Sequence, residues 1–196
     1  MPEITLRLAR EEDAEAVLEI YTEYIKDKTA GLEITPPSCE EMGTRICTCQ
    51  EMYPFFVAQI AEEVVGYAYA TRHMQEDGFG HNALVSMYIA KAHAGHGIGR
   101  ALYEALEGAL KQMGVINLYS RVMFHPKGEY FHQGRGFMEA GRLRKAAFAD
   151  GKWRDLVYYE KSVALHEENP KPIRNIGALS TAELDAIFKQ AIKRIL

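Results

Sequence analysis

The stretch AHAGHGIGR, residues 92–100, stands between a predicted strand and a predicted helix and decides the fold. Its glycines, Gly95, Gly97 and Gly99, occupy alternate positions. Glycine tolerates positive φ angles and lets the backbone approach a ligand closely, and free amides at a helix N-terminus attract anions. The stretch therefore predicts a turn that binds a pyrophosphate, although a tight turn into a helix with no ligand would show the same pattern.

Two common nucleotide-binding motifs do not fit this turn. A Walker loop requires Lys and then Ser or Thr after its last glycine, whereas Arg100 and Ala101 follow Gly99. A dinucleotide fingerprint requires a third glycine where this chain has Leu102. The turn therefore belongs to neither class of site.

Hydrophobic periodicity on both sides of the turn indicates strands and helices in a definite order. An apolar stripe at helical spacing begins at Ile98 and ends before Gly114, a typical helix C-terminal residue. The predicted order is strand, two helices, three strands, helix, strand, helix and two strands. The predicted strands are residues 4–8, 55–60, 64–70, 84–89, 115–122, a strand from 137 onward and 152–162, and the intervening helices end near residues 25, 52, 113 and 134.

A charged, proline-containing segment at residues 167–172 leads into one more helical pattern. Ser180 and Glu183 have the spacing of a capping box, and an apolar stripe runs from Leu184 to Ile195. We expect one domain at residues 1–165, followed at 166–196 by a linker and an amphipathic helix that packs on the domain or at a dimer interface.

Composition narrows the classes of partner. The 196 residues are 47% hydrophobic with a net charge of −4, which fits one globular domain and gives no basic excess for nucleic acid or an anionic membrane. The lack of a signal pattern and of a disulfide framework predicts a cytoplasmic protein.

Cys47 and Cys49 lack a second cysteine pair, and His93 and His96 lack a third ligand. We therefore predict no metal site, and we expect the two thiols to be free and at least partly buried.

Several stretches, in this order and spacing, resemble the GNAT superfamily of acyl-CoA-dependent N-acetyltransferases, and most of all its phosphinothricin acetyltransferase group. They are TAGLE (29–33) with PPS (36–38), VVGYAYA (64–70), Tyr88 with HAGHGIGRAL (93–102), GF (136–137), GRL (141–143) and GKWRD (151–155). The resemblance covers about residues 4–163. It implies an α/β fold in which a mixed, mostly antiparallel sheet of about seven strands is flanked by helices. The fourth and fifth strands are expected to splay around the pantetheine arm of coenzyme A.

The resemblance also implies an activity and a set of coenzyme contacts. The expected reaction transfers an acetyl group from acetyl-CoA, by direct attack in a ternary complex, to the primary amine of an amino acid or an analogue such as phosphinothricin or methionine sulfoximine. Backbone groups of Met87 and Ile89, on either side of Tyr88, would pair with the pantetheine. His125 stands where an asparagine often contacts the same arm. The pyrophosphate would lie on the turn formed by Ala94, Gly95, His96, Gly97, Ile98, Gly99 and Arg100.

The clearest departure from the group is Leu84, which stands where a glutamate is usual. A primary amine with a pKa of about 10 must lose a proton before it attacks, and leucine cannot accept one. His81 could polarise a water for this purpose, or it could be a surface loop residue. The departure also motivates an alternative function, a GNAT-fold module that binds acyl-CoA with little or no turnover.

His132 lies four residues before Gly136, where the resemblance implies a group that protonates the leaving thiolate. The alternative is that His132 only packs or bonds the coenzyme. Both His132 and His81 are therefore predicted catalytic residues.

The predicted acceptor site comprises Leu32, Glu33, Arg72, Leu84 and Trp153. Arg72 could clamp a carboxylate or lie solvated on the surface, and Trp153 could instead belong to the core. Because members of the resembling family are often dimers, we expect a homodimer. A third and more remote hypothesis is a regulator that acetylates proteins.

Overall fold

The computed structural model describes residues 4–27, 33–149 and 151–193, which form a seven-stranded sheet covered by helices. The strand order is β1-β2-β3-β4-β5-β7-β6, and all neighbouring pairs are antiparallel except the parallel pair β4–β5. The predicted mixed, mostly antiparallel sheet is confirmed. The strands are β1 (Ile4–Leu8), β2 (Phe55–Ile60), β3 (Glu63–Arg72), β4 (Asn82–Ile89), β5 (Asn117–Met123), β6 (Met138–Ala149) and β7 (Lys152–Ser162).

The helices occur at the predicted points in the chain. They are α1 (Ala14–Asp27), α2 (Cys39–Gln50), α3 (Ile98–Met113), α4 (Pro126–Gly134) and α5 (Thr181–Lys193). Strand β5 begins two residues later than predicted, because the backbone N–H of Val115 still bonds to the Leu110 carbonyl at 3.0 Å. That bond closes α3 around Gly114, whose φ of 96° is the left-handed conformation of a helix C-cap.

The sheet buries a different core on each face. Alternate residues of a strand point to opposite faces, so Tyr67 of β3 faces α1 and α2, whereas Ala68 faces α3 and α5. Val17 and Ile46 pack on the first face, and both are fully buried. The sequence thus places two helices on each side of a sheet whose central strand is β4.

Helix α5 is part of the larger core. The ring of Phe188 meets Phe56 of β2 edge-on at 4.9 Å between centroids, and Ile187 packs against Gly108 of α3. The predicted capping box is present, since the Ser180 N–H donates to the Glu183 carboxylate at 2.7 Å and the Glu183 N–H donates back to the Ser180 hydroxyl at 3.3 Å. The C-terminal helix is therefore built into the sheet's helical layer.

The cysteine prediction holds for only one of the two thiols. Cys49 is half-buried, with its Sγ 3.1 Å from the Ala70 carbonyl oxygen, and burial raises the pKa of this thiol to about 12. Cys47 is exposed, and the prediction that it is buried is wrong, because residues two apart on a helix point in different directions. Among the described residues, no helix is long and apolar enough to cross a membrane.

Candidate active site

The parallel central strands separate after a short paired stretch. Within the described residues, β4 and β5 pair only over residues 82–84 and 117–119. A cavity of about 90 Å³ opens between the strands beyond this point. Its lining includes Ser86, Met87, Tyr88, Ser120, His132 and Phe137. A gap between two strands leaves backbone groups available for an extended ligand that pairs as an added strand would.

Helix α4 places His132 inside this gap with both ring nitrogens engaged. Nδ1 lies 2.7 Å from the Gly128 carbonyl oxygen, and Nε2 lies 2.9 Å from the Ser120 hydroxyl. A carbonyl only accepts hydrogen bonds, so Nδ1 carries the proton, and Nε2 of the neutral ring accepts from Ser120. The ring stacks on Tyr159 at 4.4 Å. Burial lowers the pKa of His132 below its usual value, so the imidazole is neutral at pH 7.

The backbone of β4 is oriented towards the same gap. Because the Ala90 N–H bonds to the Val65 carbonyl of β3 at 2.9 Å, alternation turns the backbone groups of Met87 and Ile89 away from β3. The Tyr24 hydroxyl donates to the Ile89 carbonyl at 2.7 Å and accepts from the Ile89 N–H at 3.1 Å. A ligand that pairs with Ile89 must therefore displace Tyr24, whereas Met87 itself lines the gap.

The glycine turn presents its backbone at the start of α3. Gly95 and Gly97 have φ angles of 86° and 82°, and Gly97 is the N-cap of the helix. Ala94, Gly95, His96 and Arg100 are exposed, whereas Gly97 and Gly99 are half-buried and Ile98 is buried. The 16-residue helix directs its positive end at this turn. These are the features of an anion-binding turn.

Two polar residues beside the turn and the gap make local hydrogen bonds. The Arg100 guanidinium pairs with Glu104 one helical turn further on, at 2.9 Å. His125 is half-buried, and its carbonyl accepts the Glu129 N–H at 3.1 Å at the start of α4. His125 therefore lies in the short connection between the end of β5 and the start of α4.

A second, wider cavity of about 970 Å³ lies on the face of the sheet covered by α1 and α2. Tyr67, Tyr69 and Thr71 of β3 contribute to its lining, as do residues of α2 and the segment 170–173. The two cavities adjoin through cross-strand neighbours. Tyr67 stacks on Tyr88 at 5.1 Å, and the Tyr69 phenol is hydrogen-bonded to Ser86.

Two of the predicted acceptor residues lie at this wider cavity. Arg72 lines it, with one guanidinium nitrogen 3.1 Å from the Asp77 carboxylate. Glu33 accepts from the Tyr21 hydroxyl at 2.6 Å and from Arg45 at 2.8 Å, and both of those partners line the cavity. Leu32 lies outside the described residues.

The remaining predicted residues are separated from one another. His81 lines the wider cavity rather than the gap, with Nε2 2.9 Å from the Lys171 carbonyl oxygen. Leu84 lies between Thr71 and Tyr119 on the neighbouring strands, at the last pair before the gap opens.

Trp153 lies on the β6–β7 hairpin. It is 60% exposed and meets Phe148 edge-on at 5.3 Å. The alternative that Trp153 belongs to the core is wrong, because the hairpin extends its ring into solvent. Trp153 is also absent from the lining of both cavities described above.

Comparison with known proteins decides the family. Residues 6–158 match the acetyltransferase (GNAT) domain. The chain belongs to the GNAT family. It is an acetyl-CoA-dependent N-acetyltransferase, and the gap between β4 and β5 has the form expected from the resemblance noted in its sequence.

Relatives of this GNAT enzyme cover most of its length. It is 30% identical over 162 residues to a phosphinothricin N-acetyltransferase from Alcaligenes faecalis, covering 80% of this chain and 81% of the relative. It is 24% identical over 168 residues to an L-methionine sulfoximine/L-methionine sulfone acetyltransferase from Salmonella typhimurium, covering 83% and 96%. A GNAT phosphinothricin acetyltransferase from Sinorhizobium meliloti, solved in complex with acetyl-CoA, superposes with a TM-score of 0.80 at 29% identity, covering 88% of this chain and 98% of that one.

Sequence reasoning missed two polar residues of this GNAT enzyme. Ser120 gave no signal beyond its place in a strand, and only the fold brings it to His132. His73, just past the end of β3, stacks on Tyr119 of β5 at 4.0 Å and so reaches across β4 near Leu84. Burial, together with the charge of Arg121, lowers the pKa of His73. The one sequence signal for His73 was its position next to Arg72, at the end of a predicted strand.

Proposed function

We propose that this GNAT enzyme transfers the acetyl group of acetyl-CoA to the primary amine of an amino acid or amino-acid analogue. The observation that carries the proposal is the opening between β4 and β5, which begins after Leu84 and contains His132 next to Ser120. The relatives named for phosphinothricin and methionine sulfoximine support an acceptor of amino-acid type.

The proposed coenzyme position follows two features of the site. They are the glycine turn at the start of α3 and the backbone of β4 that is oriented towards the gap. The pyrophosphate lies on the turn formed by residues 94–99, at the positive end of the helix. The pantetheine extends through the gap and pairs with the backbone of Met87, and with Ile89 once Tyr24 has moved aside. His125, between the end of β5 and the start of α4, is a further proposed contact of the pantetheine. The thioester then lies beside Ser120 and His132.

The proposed chemistry joins nitrogen to the acetyl carbon and breaks the carbon–sulfur bond. A proton must leave the attacking nitrogen and reach the departing sulfur. We assign this transfer to the Ser120–His132 pair. The Ser120 hydroxyl accepts the proton from nitrogen as it passes its own proton to Nε2 of His132, and the imidazolium returns a proton to the thiolate. This role suits a histidine that is neutral before the reaction, and it requires no carboxylate at Leu84.

The acceptor is proposed to occupy the wider cavity, with its amine directed at the gap. Tyr67 and Tyr69 join that cavity to Tyr88 and Ser86 in the lining of the gap. Arg72 is the proposed partner of the acceptor carboxylate, since its present partner Asp77 is exposed and can be exchanged. Glu33 accepts hydrogen bonds from Arg45 and Tyr21 and so fixes these two residues of the cavity lining.

The test combines calorimetry with a thiol-release assay. Acetyl-CoA and CoA should bind with micromolar affinity, and thiol should be released in the presence of amino acids but not of amine-free acids. Binding with no release for any amine would favour the alternative of an acyl-CoA-binding module. Release only with peptide amines would favour a protein-acetylating regulator, and no response to CoA compounds at millimolar concentration would refute the proposal.

We further propose a homodimer in the cytoplasm. Exposed apolar side chains on the β6–β7 hairpin, Met138, Leu143, Phe148 and Trp153, support a self-associating surface. The exposed free thiols of Cys39 and Cys47 suit a reducing compartment. Sedimentation of the wild type and of Trp153→Ser tests the first point, and a monomeric wild type would contradict it.

A further inference from the structure

The C-terminal segment that lies outside the matched GNAT domain forms part of the wider cavity. The family match ends at residue 158, whereas Pro170, Pro172 and Ile173 line the cavity. The two prolines are exposed and Ile173 is half-buried, as expected for side chains that border an open space. This part of the wall therefore belongs to the tail of this chain and not to the family domain.

Hydrogen bonds hold the segment at the cavity. The Lys171 carbonyl oxygen lies 2.9 Å from His81 Nε2. Further along, the Arg174 N–H donates to the Met113 carbonyl at 2.8 Å, and the Ile176 N–H donates to the Met52 carbonyl at 2.9 Å. Helix α5 then packs into the core, so the C-terminal side of the segment is fixed. A fixed proline-containing segment makes a rigid wall.

The segment lies beyond Leu84, past the point at which the reaction gap opens. Tyr67 and Tyr69 adjoin the gap through Tyr88 and Ser86, whereas Arg72 and His81 lie towards the tail. The gap opens after Leu84, whose partner Thr71 precedes Arg72 on β3, and His81 lies three residues before Leu84, a span of about 10 Å at roughly 3.3 Å per residue. An amine held at the gap, with its carboxylate on the adjacent Arg72, would therefore direct the far end of a large side chain at the tail.

The chemistry of the cavity favours an uncharged acceptor side chain. Its aromatic residues include Tyr21, Phe55, Tyr67 and Tyr69. Its charged side chains are present in opposite pairs, since Arg45 contacts Glu41 at 2.6 Å and Arg72 contacts Asp77 at 3.1 Å. If the acceptor carboxylate pairs with Arg72, the described lining residues include no further arginine or lysine without a carboxylate partner for a second anionic group.

We infer that residues 170–173 form the distal wall of the acceptor cavity, and that they set the size of the large apolar or aromatic side chain that the amine substrate carries. This inference rests on the proposed function. It makes Pro172 and Ile173 specificity-determining residues, and it makes His81 a positioning residue for the tail.

The test measures kcat/KM for L-alanine, L-leucine, L-phenylalanine and L-tryptophan in full-length variants. Pro172→Trp should lower kcat/KM for the largest acceptors by roughly tenfold or more while leaving alanine nearly unchanged. Ile173→Ala should shift preference towards the largest acceptor by a similar factor. Leu165→Ala is the matched control, because Leu165 lies in the tail just before this segment, is 87% exposed and is not in the cavity lining.

The outcomes separate this inference from the proposed function. Ile173 also packs beside Gly114, so its variant is compared at equal folded fraction by thermal unfolding, whereas Pro172 is exposed and its variant should fold normally. If all four acceptors change by the same factor, or none changes, the inference is refuted while the enzyme remains an acetyltransferase. If no amine reacts with the wild type although acetyl-CoA binds, the proposed function itself fails.

Discussion

Nε2 of His132 lies 2.9 Å from the hydroxyl oxygen of Ser120, inside the gap between β4 and β5. The Gly128 carbonyl holds the proton on Nδ1, so the lone pair on Nε2 faces Ser120. With Nε2 unprotonated, His132 can accept a proton there before it donates one. In the proposed mechanism, this pair moves the amine proton without a carboxylate at Leu84.

Removing either member of this pair should affect turnover more than coenzyme binding. We expect His132→Ala to lower kcat by roughly 100-fold or more, the range for a lost acid–base group, and Ser120→Ala to lower it by about tenfold. The Kd for CoA should change little in either variant. Gln133→Ala is the control, since Gln133 is exposed on the same helix. Equal losses of turnover and of CoA affinity would contradict a proton-transfer role.

The lowered pKa of His132 has a consequence for stability. Its folded-state pKa is below the usual value, so the unfolded chain binds the proton first as the pH falls. Stability is therefore lost as the pH falls from about 6.5 towards the folded-state pKa. We expect His132→Leu to reduce the loss in urea midpoint between pH 7.5 and pH 5.5. An identical loss in the variant and the wild type would show that other groups, such as His73, carry it.

Gly66 is required where β3 passes β4 and α3. A Cβ added there would lie 2.7 Å from Cδ1 of Ile89 and 3.1 Å from the Tyr88 carbonyl oxygen. We expect Gly66→Ala to lower the free energy of unfolding by about 1–3 kcal/mol through overpacking, and to weaken CoA binding because β4 is displaced. Gly78→Ala has open space around the new methyl group and should leave both unchanged. Matching melting temperatures for the two variants would refute this account.

Phe188 connects the C-terminal helix to the sheet. It is buried against Phe56, and its removal would leave a cavity between α5 and β2. We expect Phe188→Ala to reduce the free energy of unfolding by about 3–5 kcal/mol in urea titrations. The neighbouring Lys189→Ala, at an exposed position, should have no measurable effect. A small change for Phe188→Ala would mean that α5 contributes little to the core.

The local patterns predicted secondary structure well because each depends on a few neighbouring residues. The glycines around α3 lie where left-handed conformations are needed, and Ser180 caps α5 as its spacing indicated. Cys47 and Trp153 show the limit of such patterns. Both are apolar enough to be buried, yet one points outward from its helix and the other lies on an extended hairpin.

Which residues make up the candidate site depends on contacts between residues far apart in the chain. Ser120 and His132 meet because β5 and α4 fold back on each other, and no spacing rule encodes that meeting. His81 was predicted to be catalytic because an imidazole can polarise a water. Its hydrogen-bond partner is instead the carbonyl of Lys171, ninety residues later in the chain.

The sequence by itself determined the order of the elements, the glycine turn at the start of α3 and the resemblance to the GNAT family, because periodicity, capping and turn chemistry act over a few residues. Only the tertiary structure decided which side chains share the gap, that β4 and β5 part after Leu84, and that the tail borders the wider cavity. Those features arise from packing between distant segments, whose free energy depends on the whole core and leaves no local pattern in the chain.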